Sequence, residues 1–191
     1  MKLTQLAGRK VIAVAAITGA VVLLPVAALA STAGASAPAS TPDCATSGLV
    51  VWMNTNGDGF AGGVGYTLNF TNLSGQACTL HGTPGVSAVN LSGRQLGRPA
   101  SGNYSGHTPT VRLASGATAT ALLTIYDPAN FGTECFLPGP APSPGHPGKL
   151  PTAAGLRIYP PNQRASKVIP FPTGACASSR PVWLHAGPVQ K

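Results

Sequence analysis

The stretch Gly62-Gly63-Val64-Gly65-Tyr66-Thr67-Leu68-Asn69-Phe70-Thr71-Asn72, "GGVGYTLNFTN", decides the fold class. Val64, Tyr66, Leu68 and Phe70 fall on one side of an extended chain and Thr67, Asn69 and Thr71 on the other, because strand side chains alternate with a period of two. The pattern therefore predicts a strand with one buried face. Ala119, Ala121, Leu123 and Ile125 repeat it against Thr118, Thr120 and Thr124. Shorter runs predict further strands at 49–53, 85–90, 110–113, 155–159, 166–171 and 182–185. Turn residues separate them: Asn72-Leu73-Ser74-Gly75, Ser92-Gly93, Ala114-Ser115-Gly116 and Asp127-Pro128. With 24 glycines, 19 prolines and no sustained helical stripe after residue 30, the chain is expected to be all-β. The predicted architecture is an antiparallel β-sandwich of about seven to nine strands.

Outward from that core, residues 1–30 read as a secretory signal. Lys2, Arg9 and Lys10 precede the apolar run "VIAVAAITGAVVLLPVAALA", and Ala28-Leu29-Ala30 supplies the small-x-small site for cleavage before Ser31. Pro25 and the small residues after it favour cleavage over an uncleaved membrane anchor. Residues 31–43, "STAGASAPASTPD", hold too little apolar surface to offset ordering and read as a flexible leader. Residues 44–191 then form one domain. Without the signal's three basic residues, nine of the 12 Lys and Arg face four acids, with no basic run. Nucleic-acid binding concentrates such residues on one element, so it is not expected.

Cys44, Cys78, Cys135 and Cys176 form an even set with no C-x-x-C, which in an exported chain reads as two disulfides. Three pairings are possible. Sequential strands of a meander favour Cys44 with Cys78 and Cys135 with Cys176. Residues 138–151, "PGPAPSPGHPGKLP", lie between the last two cysteines and read as an extended surface loop inside the domain.

Several of these features together resemble one family. They are the Gly-rich approach to Phe70-Thr71-Asn72, Cys78-Thr79-Leu80, Gly82-x-Pro84-Gly85-Val86, the turn Leu113 to Gly116, and Leu156-x-Ile158-Tyr159-Pro160-Pro161. In this set the chain resembles the actinobacterial secreted domain of unknown function 4232 family over Cys44 to about Trp183. The resemblance implies an immunoglobulin-like sandwich exported to the envelope or medium, with no catalytic residues to carry over. The chain lacks the lipid-anchor cysteine that many relatives carry, and it adds the proline-rich excursion.

Chemistry-bearing motifs are sparse. Asn54, Asn56, Asp58 and Gly59 fit the first half of a D-x-[DN]-x-[DN]-G calcium loop, but Gly65 stands where a bidentate glutamate is needed. The preferred reading is an Asn/Gly/Asp loop joining two strands, with no metal. His81, His107, His146 and His185 show no metal-ligand spacing. The acids are Asp43, Asp58, Asp127 and Glu134, too scattered to pair for catalysis, and no G-x-S-x-G occurs. Asp127 before Pro128 reads as a turn residue.

Binding surfaces fit the inventory better. Burial is favoured for Trp52 and Trp183; if Trp183 instead faces outward with Tyr159, the two make an aromatic platform for a glycan or peptide. Tyr104 is displayed in the loop 101–107, "SGNYSGH". The expectation is a monomeric, secreted or cell-wall-associated, non-catalytic binding or structural module without cofactors. It meets a protein or glycan partner and, once the signal is removed, no membrane. The alternative is a protease inhibitor presenting the loop 101–107 or 138–151, and a hydrolase is the third reading.

Overall fold

The computed structural model describes residues 40–102, 106, 108–139 and 148–191. The signal, most of the leader, Tyr104, His107 and His146 lie outside the described residues. Ten strands follow in order: β1 (Leu49–Phe60), β2 (Gly63–Asn72), β3 (Cys78–His81), β4 (Gly85–Val89), β5 (Gln95–Leu96), β6 (Thr110–Leu113), β7 (Thr118–Tyr126), β8 (Thr152–Tyr159), β9 (Lys167–Gly174) and β10 (Leu184–Ala186). They form two four-stranded antiparallel sheets, β1-β2-β7-β10 and β5-β4-β8-β9, and a two-stranded pair β3-β6. Among the described residues no helix is long and apolar enough to cross a membrane.

The alternation read from the sequence sets the layers. Leu68, Phe70, Ala119, Ala121 and Leu123 of the first sheet and Val86, Leu156 and Ile158 of the second are buried in one cluster. Leu49 joins them, with Val51 and Met53 packed against the cluster, so Val50 and Trp52 turn outward. On β8 a bulge between Ala153 and Gly155 brings the Gly155 backbone against Ile169 of β9. A Cβ there would collide with the Ile169 carbonyl oxygen, so only glycine permits that approach.

The two long edges of the sandwich differ. At one, the segment after β5 stitches the sheets together: Ala100 N–H donates to Val86 O (2.8 Å), Ser101 N–H to Leu184 O (3.0 Å) and Ala186 N–H to Ser101 O (3.0 Å). The opposite edge carries β1 and β9, and β9 exposes Pro170 and Pro172 in alternation with the half-buried Ile169 and Phe171. Prolines at alternate positions remove donors on one side of a strand, which suits an edge.

The disulfides are Cys44–Cys78 and Cys135–Cys176, the favoured pairing, but the physical reason differs from a meander. Cys44 is aligned because Pro42 to Cys44 lie beside β3, with Cys44 N–H donating to Thr79 O (2.9 Å) and Thr79 N–H to Pro42 O (2.8 Å). Residues expected to end the leader therefore belong to the β-structure. Cys135 closes the 3-10 segment Pro128–Glu134 and Cys176 follows β9. Leu137 N–H donates to Lys149 O (2.8 Å), closing the base of the proline-rich excursion.

The end of β2 is fixed by a buried amide. The Asn72 side chain donates to Gln76 O (2.7 Å), Leu113 O (3.2 Å) and Ala114 O (3.2 Å), and its Oδ1 accepts from Ser74 N–H (3.0 Å) and Ser74 O–H (2.7 Å). Its backbone adds bonds to Ala117 O (2.9 Å) and from Gly116 N–H (2.7 Å). Removing the amide leaves several buried or half-buried groups unpaired, each costing about 1–3 kcal/mol. Asn72→Ala is therefore expected to lower unfolding free energy by about 2–4 kcal/mol in urea denaturation. Asn72→Asp, which loses the donors and puts a charge beside three carbonyls, is expected to lose at least as much.

Candidate functional site

At one end of the β1/β9 edge, residues of both sheets line a depression. A groove of about 560 Å³ lies there, walled by Val64, Tyr66 and Ile125 from the first sheet, by Phe171 and Thr173 from the second, and by Leu150 from the segment before β8. Its size falls within the roughly 300–1,000 Å³ usual for small-ligand sites. Tyr66 and Phe171 meet edge to face across it, ring centroids 5.2 Å apart and planes at 74°. Gly57, in the bulged part of β1, lies against Val64 and Tyr66, where its missing Cβ makes room for both side chains.

The rim of the groove is polar. Asp127 accepts from Ala129 N–H (2.9 Å) and so caps the 3-10 segment after Pro128, as its place in the sequence predicts. Asn130 donates its amide to Gly62 O (3.1 Å), tying the β1–β2 turn to that segment. One carboxylate and one amide at the mouth of an apolar groove can orient a ligand through hydrogen bonds. The remaining acids stand elsewhere: Asp43 meets the Thr79 hydroxyl (3.3 Å), Glu134 pairs with exposed Arg180 (3.6 Å), and Asp58 lies in β1.

The structure corrects several expectations about particular residues. Asn54, Asn56 and Asp58 do not form a loop: β1 runs through them to Phe60, with a register shift between Asn54 and Asp58. Asn54 Oδ1 accepts from Asn56 N–H (3.0 Å), so the Asn/Gly-rich stretch is spent on a bulge inside a strand rather than around an ion. Among the described residues no group of three or more His, Cys, Asp and Glu could hold a metal ion.

Trp183 is fully buried and cannot present a platform. Its Nε1 lies over Gly97, whose φ of 67° and missing Cβ leave room for it, and it meets no hydrogen-bond acceptor among the described residues. Tyr159 is half-buried and pairs with Gly85, on the opposite side of β8 from buried Leu156 and Ile158. The two are therefore not brought together. Trp52, for which burial was expected, is 46% exposed. Sequence reasoning also missed the groove. Alternating Pro170 and Pro172 against Ile169 and Phe171 was the available signal for an edge strand turning aromatic and aliphatic groups inward.

With fold and groove established, one comparison is decisive: the family described as Domain of unknown function (DUF4232) matches residues 44–190. The chain belongs to this family. The DUF4232 match begins at the first disulfide cysteine and takes in both sheets, the groove and the Asn72 knot. Searches of curated proteins and of solved structures returned no match.

The contrast between the two indoles is directly measurable. Iodide is expected to quench only the Trp52 fraction of the fluorescence. In Trp52→Phe the remaining emission, from Trp183, should be blue-shifted and resist the quencher.

Proposed function

We propose that this DUF4232 domain acts outside the cytoplasm as a non-catalytic binding module and that its ligand seats an apolar or aromatic group against the Tyr66–Phe171 pair. The observation that carries this reading is the groove itself, an aromatic slot with one hydrogen-bonding rim and no second carboxylate on its walls. The two disulfides support an oxidising compartment. Acid–base chemistry would need two titratable groups held across a reacting bond, and the four acids instead sit in four separate settings.

The test is a titration of isotope-labelled protein with small probes, an aromatic dipeptide amide and an N-acetylated disaccharide, followed by amide chemical shifts. Shifts are expected to cluster at Val64, Ile125, Asn130 and Thr173. They should vanish in Thr173→Trp, which fills the slot, and weaken several-fold in Phe171→Ala, which removes a wall. Both variants are checked for native spectra. Shifts scattered over the surface, or conversion of a probe into product, would overturn the reading.

A further inference from the structure

We propose that the outer face of the first sheet is a second and separate site, a platform for an extended, neutral polysaccharide chain. It does not depend on the groove reading: Gly63 and Tyr126 of its end row also border the groove, but its other rows lie on the opposite side of the same strands.

Reading across the register gives the chemistry of the face row by row. One row is Val50, Thr71 and Thr118; the next is Trp52, Asn69 and Thr120. Beyond these come Asn54, Thr67 and Leu122, and then Asp58, Gly65, Thr124 and His185. The end row crosses from Phe60 over Gly63 to Tyr126. Asn69 is itself buried, its amide donating to Thr67 O (3.2 Å); the other hydroxyls and amides stand on paired strands, so the array is rigid before any ligand arrives, which limits the ordering cost of binding.

Three observations point to a sugar polymer. First, the exposed indole of Trp52 is held in place: its N–H donates to the Thr71 hydroxyl (3.4 Å), which is in turn 2.9 Å from that of Thr118. A fixed aromatic face flanked by hydroxyls matches a sugar ring, which offers C–H groups on its faces and hydroxyls at its edge. Second, a matching aromatic group stands at the other end. Phe60 and Tyr126 meet edge to face with centroids 5.6 Å apart, and Tyr126 and His185 likewise at 5.4 Å. Six residues separate Thr120, in the Trp52 row, from Tyr126, so the aromatic ends lie about 20 Å apart at ~3.3 Å per strand residue. That span suits several sugar units in a line.

Third, the charge is wrong for other ligands. No lysine or arginine stands in any of these rows, which removes the usual means of holding a phosphate or a polyanion. The acid and the imidazole in them, Asp58 and His185, stand at opposite ends of a single row. The exposed Val50, Trp52 and Leu122 are separated by polar Asn69 and Thr67, unlike the continuous apolar centre of a stable protein interface.

Co-sedimentation of the full chain, produced with its disulfides formed, with insoluble cellulose and chitin tests the proposal, with polygalacturonate as the anionic control. The chain is expected to pellet with at least one neutral polymer and not to be retained by the polyanion. Trp52→Ala, a surface change that leaves the core intact, should weaken binding by about tenfold or more. Thr120→Lys, which keeps the indole but breaks the neutral array, should weaken it several-fold. Thr173→Trp, which fills the groove on the inner side, should leave it unchanged. The proposal is overturned if neither neutral polymer retains the chain, if Trp52→Ala binds as well as wild type, or if retention is confined to the polyanion. It is equally overturned if light scattering shows a dimer that Trp52→Ala disperses, since the face would then belong to a second copy.

Discussion

The side-chain amide of Asn72 is the constraint on which the rest of this sandwich depends. β2 is an inner strand of the first sheet, and Asn72 is its last residue. From that position one buried amide meets the turn after β2, the end of β6 and the turn into β7. Those contacts span 42 residues of sequence, so closing them aligns β2 with β7 and ties the small β3–β6 pair to the main sheet. A backbone turn alone would leave these carbonyls to compete with one another for water, whereas Asn offers two donors and an acceptor in one plane. A hydrophobic residue of similar size would bury as well but could not fix the register.

The two long edges of the sandwich are held in different ways. The segment 100–101 bridges β4 and β10 by backbone hydrogen bonds, which draws the sheets together on that side. The β1/β9 side has side-chain contacts between the sheets, notably Tyr66 with Phe171, and prolines on β9 where donors would otherwise invite another strand. The groove lies at the end of this edge, where side chains alone join the sheets. The bulge in β1 contributes, since it bends that strand across Val64 and Tyr66 and exposes Phe60 to meet Tyr126.

What could be read in the sequence follows from how local the cause is. The strands β2 and β7 were legible because each carries its own alternation, and β6 was found to the residue. The extension of β1 to Phe60 was not, because Asn, Gly and Asp are depleted in strands and only pairing with Gly63 to Gly65 overrides that preference. The extra residues of β8 at Thr152 to Ala154 were hidden by the proline-rich segment before them. The cysteine pairing was right although its cause, a short segment laid beside β3, has no mark in the sequence. Trp52 and Trp183 show the limit most clearly: both sit among aliphatic neighbours, yet one lies on an outer face and the other beside Gly97. Which face of a strand points inward depends on the sheet it joins, and alternation alone does not say. Of the two candidate contact residues among the described residues, Trp183 is buried and Tyr159 half-buried, and Tyr159 stands apart from the groove and from Trp52.

The scarcity of charge then shapes what the surface can do. Among the described residues the one ion pair, Glu134 with Arg180, is exposed at both ends, and such pairs contribute little to stability. Order comes instead from a dense apolar core, two disulfides and buried amides, none of which needs a particular salt or pH. The outer face of the first sheet, built of threonine, asparagine and aromatic rings, places no basic side chain in its rows to hold an anionic partner. The recognition proposed for it would therefore rest on shape, stacking and short hydrogen bonds, interactions that act only on contact and that persist when ionic conditions vary.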